Sequence, residues 1–396
     1  MLEIFKKKLG GLENSINEFS EKLWNSSPEK SGPNDFNGIL KKEITEICGD
    51  CLEDEAGNLT GILKGFRDQG DILVLSKCKS KNDTENNYKK YDYRYGITSG
   101  LYSLALLERT LLPLTGNIIF ACINDGECPG KNIKFLFDNT LKDRNIKTVI
   151  LCEPTGYNVY IGSKGRLEYE IVIKGLMDEE YMAKNGINML GIINPLLVEL
   201  EKMNRILPRN YELGSSSIKV KDVKFNDFST REKVKEFHVL VDRFFVPEED
   251  GEMILEKART VARAVFPEEK KLSINASIVK DRTLKGGNEI LVEKEVKPWK
   301  MESHNPVVLK TLEALQDAEF NPKVGYWKHT VTDGSYTFGM KNIPTIGFGY
   351  GNESSDDNTS DRIYDLDEIS NTVFGLGVII HRLIGLPTFG WCEDEI

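Results

Sequence analysis

Strand-like and helix-like segments alternate through the first 165 residues of this chain. Residues 72–76 and 117–123 are short apolar runs, and residues 100–111 between them carry apolar side chains at helical spacing. An apolar run followed by a helix and another apolar run is typical of parallel strands joined by crossover helices. The alternation therefore predicts an α/β fold with a mostly parallel sheet and helices on both faces.

A different pattern occupies residues 166–285. Stretches such as residues 167–174 alternate between apolar and polar side chains, as in a strand with one face exposed. Four such strands and two amphipathic helices are predicted within the segment, which makes it a self-contained α+β unit. We therefore expect a discontinuous larger domain, residues 1–165 and 286–396, with residues 166–285 inserted as a second domain.

The charge balance argues against two classes of partner. With 52 Lys and Arg residues against 62 Asp and Glu residues, the 396-residue chain has a formal net charge of −10 at pH 7. Nucleic acids and anionic membranes both require a basic face, so neither is expected as a partner. The seven cysteines are scattered and no run of 18 apolar residues is found, so we expect a cytoplasmic setting.

The segment that begins at Thr332 carries the most specific motif of the sequence. Thr332 and Asp333 are followed by a proline turn after Ile343, an apolar strand and a glycine-rich loop. Together with a Glu-Pro-Thr motif that begins at Glu153, this order resembles the M20 metallopeptidases, which include aminoacylases, dipeptidases and acetylornithine deacetylase. The phrase NIPTIGFG is most similar to the M20 hydrolases linked to selenium and purine metabolism. The resemblance extends over nearly the whole chain.

This resemblance implies that the inserted domain is a lid that also makes the dimer contact. It implies a dinuclear zinc centre of histidines and carboxylates, with a glutamate that deprotonates the attacking water. The implied reaction is the hydrolysis of amide or peptide bonds. The implied assembly is a homo-oligomer or hetero-oligomer formed through the lid domain.

Four of the five metal-ligand positions of the family carry a different residue in this chain. Lys77 stands in place of the first histidine, Ser99 of the bridging aspartate, Gly126 of a glutamate and Asp357 of the last histidine. Glu153 retains the residue type that the family uses. A protonated lysine cannot ligate zinc and repels it, so we expect no metal cofactor.

Further residues are expected around the same pocket. Asp125 aligns with the general base of the family, and a shift of the alignment by one residue would bring Glu127 to that place. Lys79 follows a predicted strand closely, and His329 precedes Asp333 by four residues. We place all of them at the carboxyl edge of the sheet, where ligands collect in such folds.

Three hypotheses remain open, and the sequence favours the first. In the first, the chain is a non-catalytic structural or regulatory subunit with the M20 fold. In the second, it is a hydrolase with a rebuilt site whose carboxylates hold one divalent cation, Mg²⁺ or Mn²⁺. The carboxylates of that pocket are Asp125, Glu127, Glu153, Asp333 and Asp357. In the third, Lys77 and Lys79 bind a small anionic ligand. A simpler role for these lysines is to neutralise Glu153 and Asp357.

Overall fold

The computed structural model describes residues 2–26, 35–67, 69–79, 93–125, 130–176, 189–227, 234–266, 272–285, 288–351 and 364–385. The chain divides into two compact units. The larger unit consists of Met1–Gly162, Lys300–Trp327 and Thr332–Ile396, and the smaller consists of Ser163–Trp299 and Lys328–Val331. Within the described residues, no helix combines the length and apolar character needed to cross a membrane.

The helices begin and end at recognisable signals. Asp35 accepts a hydrogen bond from the backbone N–H of Gly38 (2.6 Å) at the start of α3, and Gly49 ends that helix with a positive φ of 84°. The described helices are α1 (Leu2–Gly10), α2 (Glu13–Trp24), α3 (Phe36–Cys48), α4 (Tyr93–Thr110), α5 (Lys131–Phe135), α6 (Met189–Asn204), α7 (Gly251–Val265), α8 (Pro306–Asp317), α9 (Gly334–Thr337) and α10 (Leu366–Ile384). A π-helical turn, Leu136–Thr140, continues α5.

The larger unit has a mixed sheet whose centre is parallel. Its described strands are β1 (Leu52–Glu53), β2 (Leu59–Leu63), β3 (Asp71–Lys79), β4 (Asn117–Asp125), β5 (Ile146–Leu151), β6 (Val159–Ser163), β16 (Trp299–Lys300), β17 (Val324–Trp327) and β18 (Thr345–Gly347). The order is β1-β2-β4-β3-β5-β18-β6-β16, and β17 also pairs with β6. Strands β4, β3, β5 and β18 are mutually parallel, whereas β2 and β6 pair antiparallel with their neighbours. Helix α4 packs on β3 and against α10. The fold class is α/β with a mainly parallel central sheet, as the alternation of segments predicts.

The smaller unit is an antiparallel sheet covered by two helices. Its described strands are β7 (Gly165–Leu176), β8 (Arg209–Asn210), β9 (Gly214–Ser215), β10 (Ser217–Asp227), β11 (Val234–Phe245), β12 (Ser273–Ile278), β13 (Lys280–Lys285), β14 (Asn288–Glu293) and β15 (Glu295–Val296). Strands β10, β11, β7 and β12 lie side by side in that order. Alternate residues of β7, such as Tyr169 and Ile171, are fully buried with Leu196 of α6 and Ala258 of α7. The period-2 pattern of the sequence thus separates the face that packs on the helices from the opposite one.

Three expectations about local structure are wrong. Strand β3 continues to Lys79, so Lys77 and Lys79 belong to the strand and not to a loop after it. Helix α4 begins at Tyr93, so Ser99 lies inside the helix rather than ahead of it. The smaller unit extends to Trp299, beyond the predicted boundary at residue 285, because β14 pairs with β13 and β15 pairs with β7.

Candidate functional site

The candidate site lies at the carboxyl ends of two neighbouring parallel strands of the larger unit. Lys77 is the third residue from the end of β3, and Glu153 follows the last residue of β5 by two positions. Asp333 immediately precedes α9. Parallel strands present their carboxyl ends at one edge of the sheet, which brings side chains from separate segments together there.

One ammonium group is shared by two carboxylates at this edge. The Nζ atom of Lys77 lies 3.0 Å from Oδ2 of Asp333 and 3.5 Å from Oε1 of Glu153. The side chains of Lys77, Glu153 and Asp333 are only 15%, 16% and 6% exposed. At this depth an ion pair is far less screened than at the surface, so the three charges form one electrostatic unit. We call these three residues the lysine triad.

The main chain of Asp333 belongs to the start of α9, but its side chain does not cap that helix and instead pairs with Lys77. The backbone C=O of Asp333 accepts hydrogen bonds from the N–H groups of Tyr336 (2.9 Å) and Thr337 (3.0 Å), which fixes its main chain. Its side chain caps no amide of that helix. Oδ2 is buried and lies close to Lys77, but the contact lacks the angles of a hydrogen bond. The contact is therefore an ion pair rather than a directed hydrogen bond.

The loop that carries Glu153 is held from two sides. The backbone N–H of Gly349 donates to the hydroxyl of Thr155 (3.1 Å), and the N–H of Thr155 donates to the C=O of Gly349 (3.3 Å). A Cβ atom at Gly349 would lie 2.5 Å from the C=O oxygen of Glu153, so only glycine allows this approach. Beneath the loop, the indole N–H of Trp327 donates to the C=O of Pro154 (3.1 Å). Glu153 is thus presented by a fixed backbone.

Ser99 makes its hydrogen bond within its own helix. It is buried, and its hydroxyl donates to the C=O of Tyr95 one turn earlier (2.5 Å). In the same region Ser76 of β3 donates from its hydroxyl to the C=O of Gly96 (2.9 Å), which ties the strand to α4. Burial raises the pKa of the Cys152 thiol to about 12, although a hydrogen bond to Ser76 opposes the shift. Cys152 is therefore a neutral thiol at neutral pH.

The backbone of the described residues places three of the other predicted residues. Lys79 and Asp125 end adjacent parallel strands and are register partners across β3 and β4. His329 lies exposed in the short segment after β17. Glu127 and Asp357 lie outside the described residues. The pairing of Lys77 with Asp333 was not predicted, although Asp333 belongs to the most specific motif of the sequence.

The described residues do not match a dinuclear metal centre. Carboxylates such as Glu153 and Asp333 are suitable oxygen ligands for a hard divalent cation. However, within the residues that the structure describes, no three His, Cys, Asp or Glu side chains form a group that could hold a metal ion. The Lys77 ammonium also lies against both carboxylates, where a cation of the same sign would have to bind.

No protein-family model matches the chain. Among curated proteins, it is 26% identical to the uncharacterized protein YgeY of Escherichia coli K12 over 344 residues, covering 79% of this chain and 81% of that protein. It is also 26% identical to an uncharacterized metallohydrolase of Methanocaldococcus jannaschii over 153 residues, covering 37% of this chain and 43% of that protein.

Two solved structures establish the fold. Aminopeptidase PepT from Bacillus cereus matches with a TM-score of 0.65 at 15% identity, over 93% of this chain and 97% of that one. The YxeP protein of Bacillus subtilis, a dinuclear metal-binding peptidase of the M20 family, matches with a TM-score of 0.65 at 11% identity, over 94% of this chain and 98% of that one. The chain has the M20 metallopeptidase fold. The resemblance noted in the sequence is confirmed at the level of the fold.

One expectation is contradicted by these similarities. The replaced ligand positions led us to expect no metal cofactor, yet the M20-fold neighbour from B. subtilis is a dinuclear metal-binding peptidase. The curated relative from M. jannaschii is a metallohydrolase as well. The prediction that this chain has no metal cofactor is therefore contradicted, and the lysine triad lies in a chain whose structural neighbours and curated relatives include metal-binding hydrolases.

Proposed function

We propose that this chain is a non-catalytic M20-fold protein that serves as a structural or regulatory subunit. The observation that carries the proposal is the position of Lys77, whose ammonium group lies 3.0 Å from Asp333 and 3.5 Å from Glu153. Glu153 is the ligand position of the family that this chain retains. A divalent cation that used Glu153 would have to compete with an ammonium that is already held at the same oxygen atoms.

The hydrolytic step of such a fold needs a water molecule whose proton is easily removed. A bound metal ion supplies this by lowering the pKa of the water. An ammonium group on the same carboxylates supplies no open coordination position for a water molecule. While Lys77 stays in place, the triad therefore neutralises the site instead of activating a nucleophile.

A second candidate function is a metal-dependent hydrolase of amide or peptide bonds with a rebuilt carboxylate site. It is favoured by the names of the relatives, which include peptidases and a metallohydrolase. It also draws support from the lysine triad itself, because two carboxylates share one ammonium and keep an excess of negative charge. Such an excess suits one divalent cation held by oxygen ligands.

The anionic-ligand hypothesis has less support. An ammonium group attracts a small anion when it lacks a partner, but Lys77 is already shared by Asp333 and Glu153. An anion would have to approach two buried carboxylates of its own sign. The net charge of the lysine triad therefore opposes this role.

A hydrolysis assay separates the first two functions. We expect that purified protein releases product from N-acyl amino acids and dipeptides no faster than a buffer blank, both as purified and after incubation with Zn²⁺, Mn²⁺ or Mg²⁺. Metal content is measured by elemental analysis on the same samples. This second measurement distinguishes a site without metal from a metal-loaded site without activity.

The matched variants are Glu153→Ala in the triad and Glu46→Ala on the surface of α3, where the Glu46 side chain is 58% exposed. Turnover that copurifies with the protein, is lost in Glu153→Ala and survives in Glu46→Ala would establish the hydrolase and overturn the subunit proposal. A blank-level rate in metal-loaded protein would support the subunit proposal.

A non-catalytic subunit must act through contacts, and we propose that the smaller unit provides them. Among the described strands of its sheet, β10 lies at an edge, and an edge strand can pair with another chain. Val198 of α6 and Met253 of α7 are large apolar side chains that are 44% and 46% exposed.

Light scattering on the intact chain tests this assembly. We expect a dimer or larger species at micromolar concentration, or a stable complex with a second protein from cell extract, weakened by Met253→Glu and unchanged by Glu46→Ala. A monomer that recovers no partner would contradict the role of a subunit.

A further inference from the structure

Three helices of the larger unit meet at one phenol group. Tyr102 of α4 is 2% exposed. Its Oη atom lies 2.8 Å from the C=O oxygen of Ser15 in α2 and 2.5 Å from Oε1 of Glu43 in α3. Both separations are in the range of O–H···O hydrogen bonds, and the second is at its short end. Together they join α2, α3 and α4 at a single atom.

The hydrogen atoms at this junction can be counted. A tyrosine hydroxyl carries one hydrogen, a backbone C=O can only accept, and an ionised carboxylate can only accept. If Glu43 were ionised, two acceptors would share the one hydrogen of Tyr102, and one oxygen pair would be in contact without a hydrogen between them. If Glu43 is protonated, it donates to Oη, and Tyr102 donates to Ser15. Both contacts are then satisfied.

We propose that Glu43 carries a proton in the folded protein and that loss of this proton at higher pH weakens the junction of α2, α3 and α4. The junction bears on the candidate site because Tyr102 lies one turn after Ser99 on α4. Helix α4 packs on β3, the strand that supplies Lys77 to the triad.

The surroundings of Glu43 are consistent with a retained proton. Burial raises the pKa of Glu43, and the nearby charge of Glu46 raises it further. The hydrogen bond from Tyr102 and the charges of Lys22 on α2 and Lys42 on α3 act in the opposite direction, but the net shift is upward. Arg109 on α4 is the charged group of that helix that acts on Tyr102.

The sign of the pH dependence follows from this direction. The folded protein holds the Glu43 proton more tightly than the unfolded chain, whose ordinary glutamate value is 4.5. The stabilisation is therefore fully present below pH 4.5 and is lost as the pH rises through the higher value of the folded state.

Infrared difference spectroscopy tests the proposal on the full chain. The spectrum of the Glu43→Gln variant is subtracted from that of the wild type across a pH series. Above pH 4.5, where an ordinary glutamate is mostly ionised, we expect a protonated-carboxyl C=O band that belongs to Glu43 and disappears as the pH rises further. Glu46→Gln, one turn away on the same helix and largely exposed, should keep the band, and only its disappearance should move to lower pH because the charge of Glu46 no longer raises the pKa of Glu43.

If Glu43→Gln does not fold, a second variant can still test whether the infrared band belongs to Glu43. Tyr102→Phe removes the acceptor of the Glu43 proton, so the band should shift in frequency. Thermal midpoints provide an independent readout, because the advantage of the wild type over Glu43→Gln should shrink as the pH rises. Absence of a protonated-carboxyl band at every pH above 4.5, or a band that neither variant alters, would overturn the proposal.

Discussion

Two buried charge clusters, one in each unit of the chain, are built in opposite ways. In the larger unit Glu153 and Asp333 share the single ammonium of Lys77. In the smaller unit Glu168, whose side chain is 9% exposed, is surrounded by three cations. Their distances to its carboxylate oxygens are 2.9 Å for Arg166, 3.1 Å for Lys221 and 3.3 Å for Lys294. Arg166 also pairs with Asp242 at 2.8 Å.

The two clusters differ in the ratio of charges: the lysine triad has two carboxylates for one cation, whereas Glu168 has three cations. Burial would raise the pKa of Glu168, but the charge of Arg166 and the contacts of Lys221 and Lys294 outweigh it and lower the pKa. A carboxylate with three cations stays ionised and tolerates the loss of one of them. In the lysine triad both carboxylates pair with the same cation, Lys77, so neither has such redundancy among the residues that the structure describes. Redundant pairing is typical of a structural cluster, whereas two carboxylates that share one cation keep an excess of negative charge.

The largest effect that this comparison predicts is that of Lys77→Met. The substitution leaves Glu153 and Asp333 buried, close together and without their cation, so we expect the free energy of unfolding at neutral pH to fall by about 3 kcal/mol. Denaturant unfolding measures the change. Lys77→Arg, which keeps the positive charge, should lose much less.

A further pair of variants identifies the cause of that loss. Adding Asp333→Asn to Lys77→Met removes one of the two unpaired charges and should recover part of the stability, as a double-mutant cycle would measure. If Lys77→Met is as stable as the wild type, or if Asp333→Asn makes it worse, the triad does not hold its charges by mutual attraction and the contrast between the two clusters fails.

A smaller effect is expected for Lys294→Met in the other cluster. Arg166 and Lys221 remain on Glu168, so the free energy of unfolding should fall by less than about 1 kcal/mol. The same measurement at falling pH checks the sign. Because the pKa of Glu168 is lowered in the folded state, its stabilisation is present above pH 4.5 and is lost as the pH falls through the lower value. A loss as large as that of Lys77→Met would show that cation number is not what separates the clusters.

The sequence predicts the framework of this fold well because hydrophobic periodicity is a local signal. The apolar run 117–123 corresponds to β4, and the alternating run 167–174 lies within β7. Residues 2–24 carry apolar side chains at helical spacing throughout, yet they form two helices, since Gly10 ends α1 and α2 begins at Glu13. Two adjacent glycines lower the stability of a continuous helix, and that cost outweighs the apolar periodicity.

The candidate site was only partly predictable because its pairings join segments far apart in the chain. The carboxyl edge of the sheet was predicted from topology, and Lys77 and Glu153 were placed there. The start of α4 was misplaced because the helix was predicted to begin at Gly100, which instead lies inside α4 and marks a close approach to Cys152 and Phe120. The contact of Lys77 with Asp333 depends on three-dimensional proximity, which no local pattern encodes.

The tryptophan beneath the Glu153 loop restricts how this protein can change during evolution. A Cβ atom at Gly347 of β18 would lie 2.0 Å from Cη2 of Trp327, so the indole ring occupies the space of any larger residue at that position. A larger residue at position 347 can be accommodated only if the tryptophan at position 327 is first replaced by a smaller residue. The protein would then lose the hydrogen bond to Pro154, next to Glu153. Positions 327 and 347 are therefore expected to vary together among descendants of this sequence, and to stay fixed wherever the loop must keep its shape.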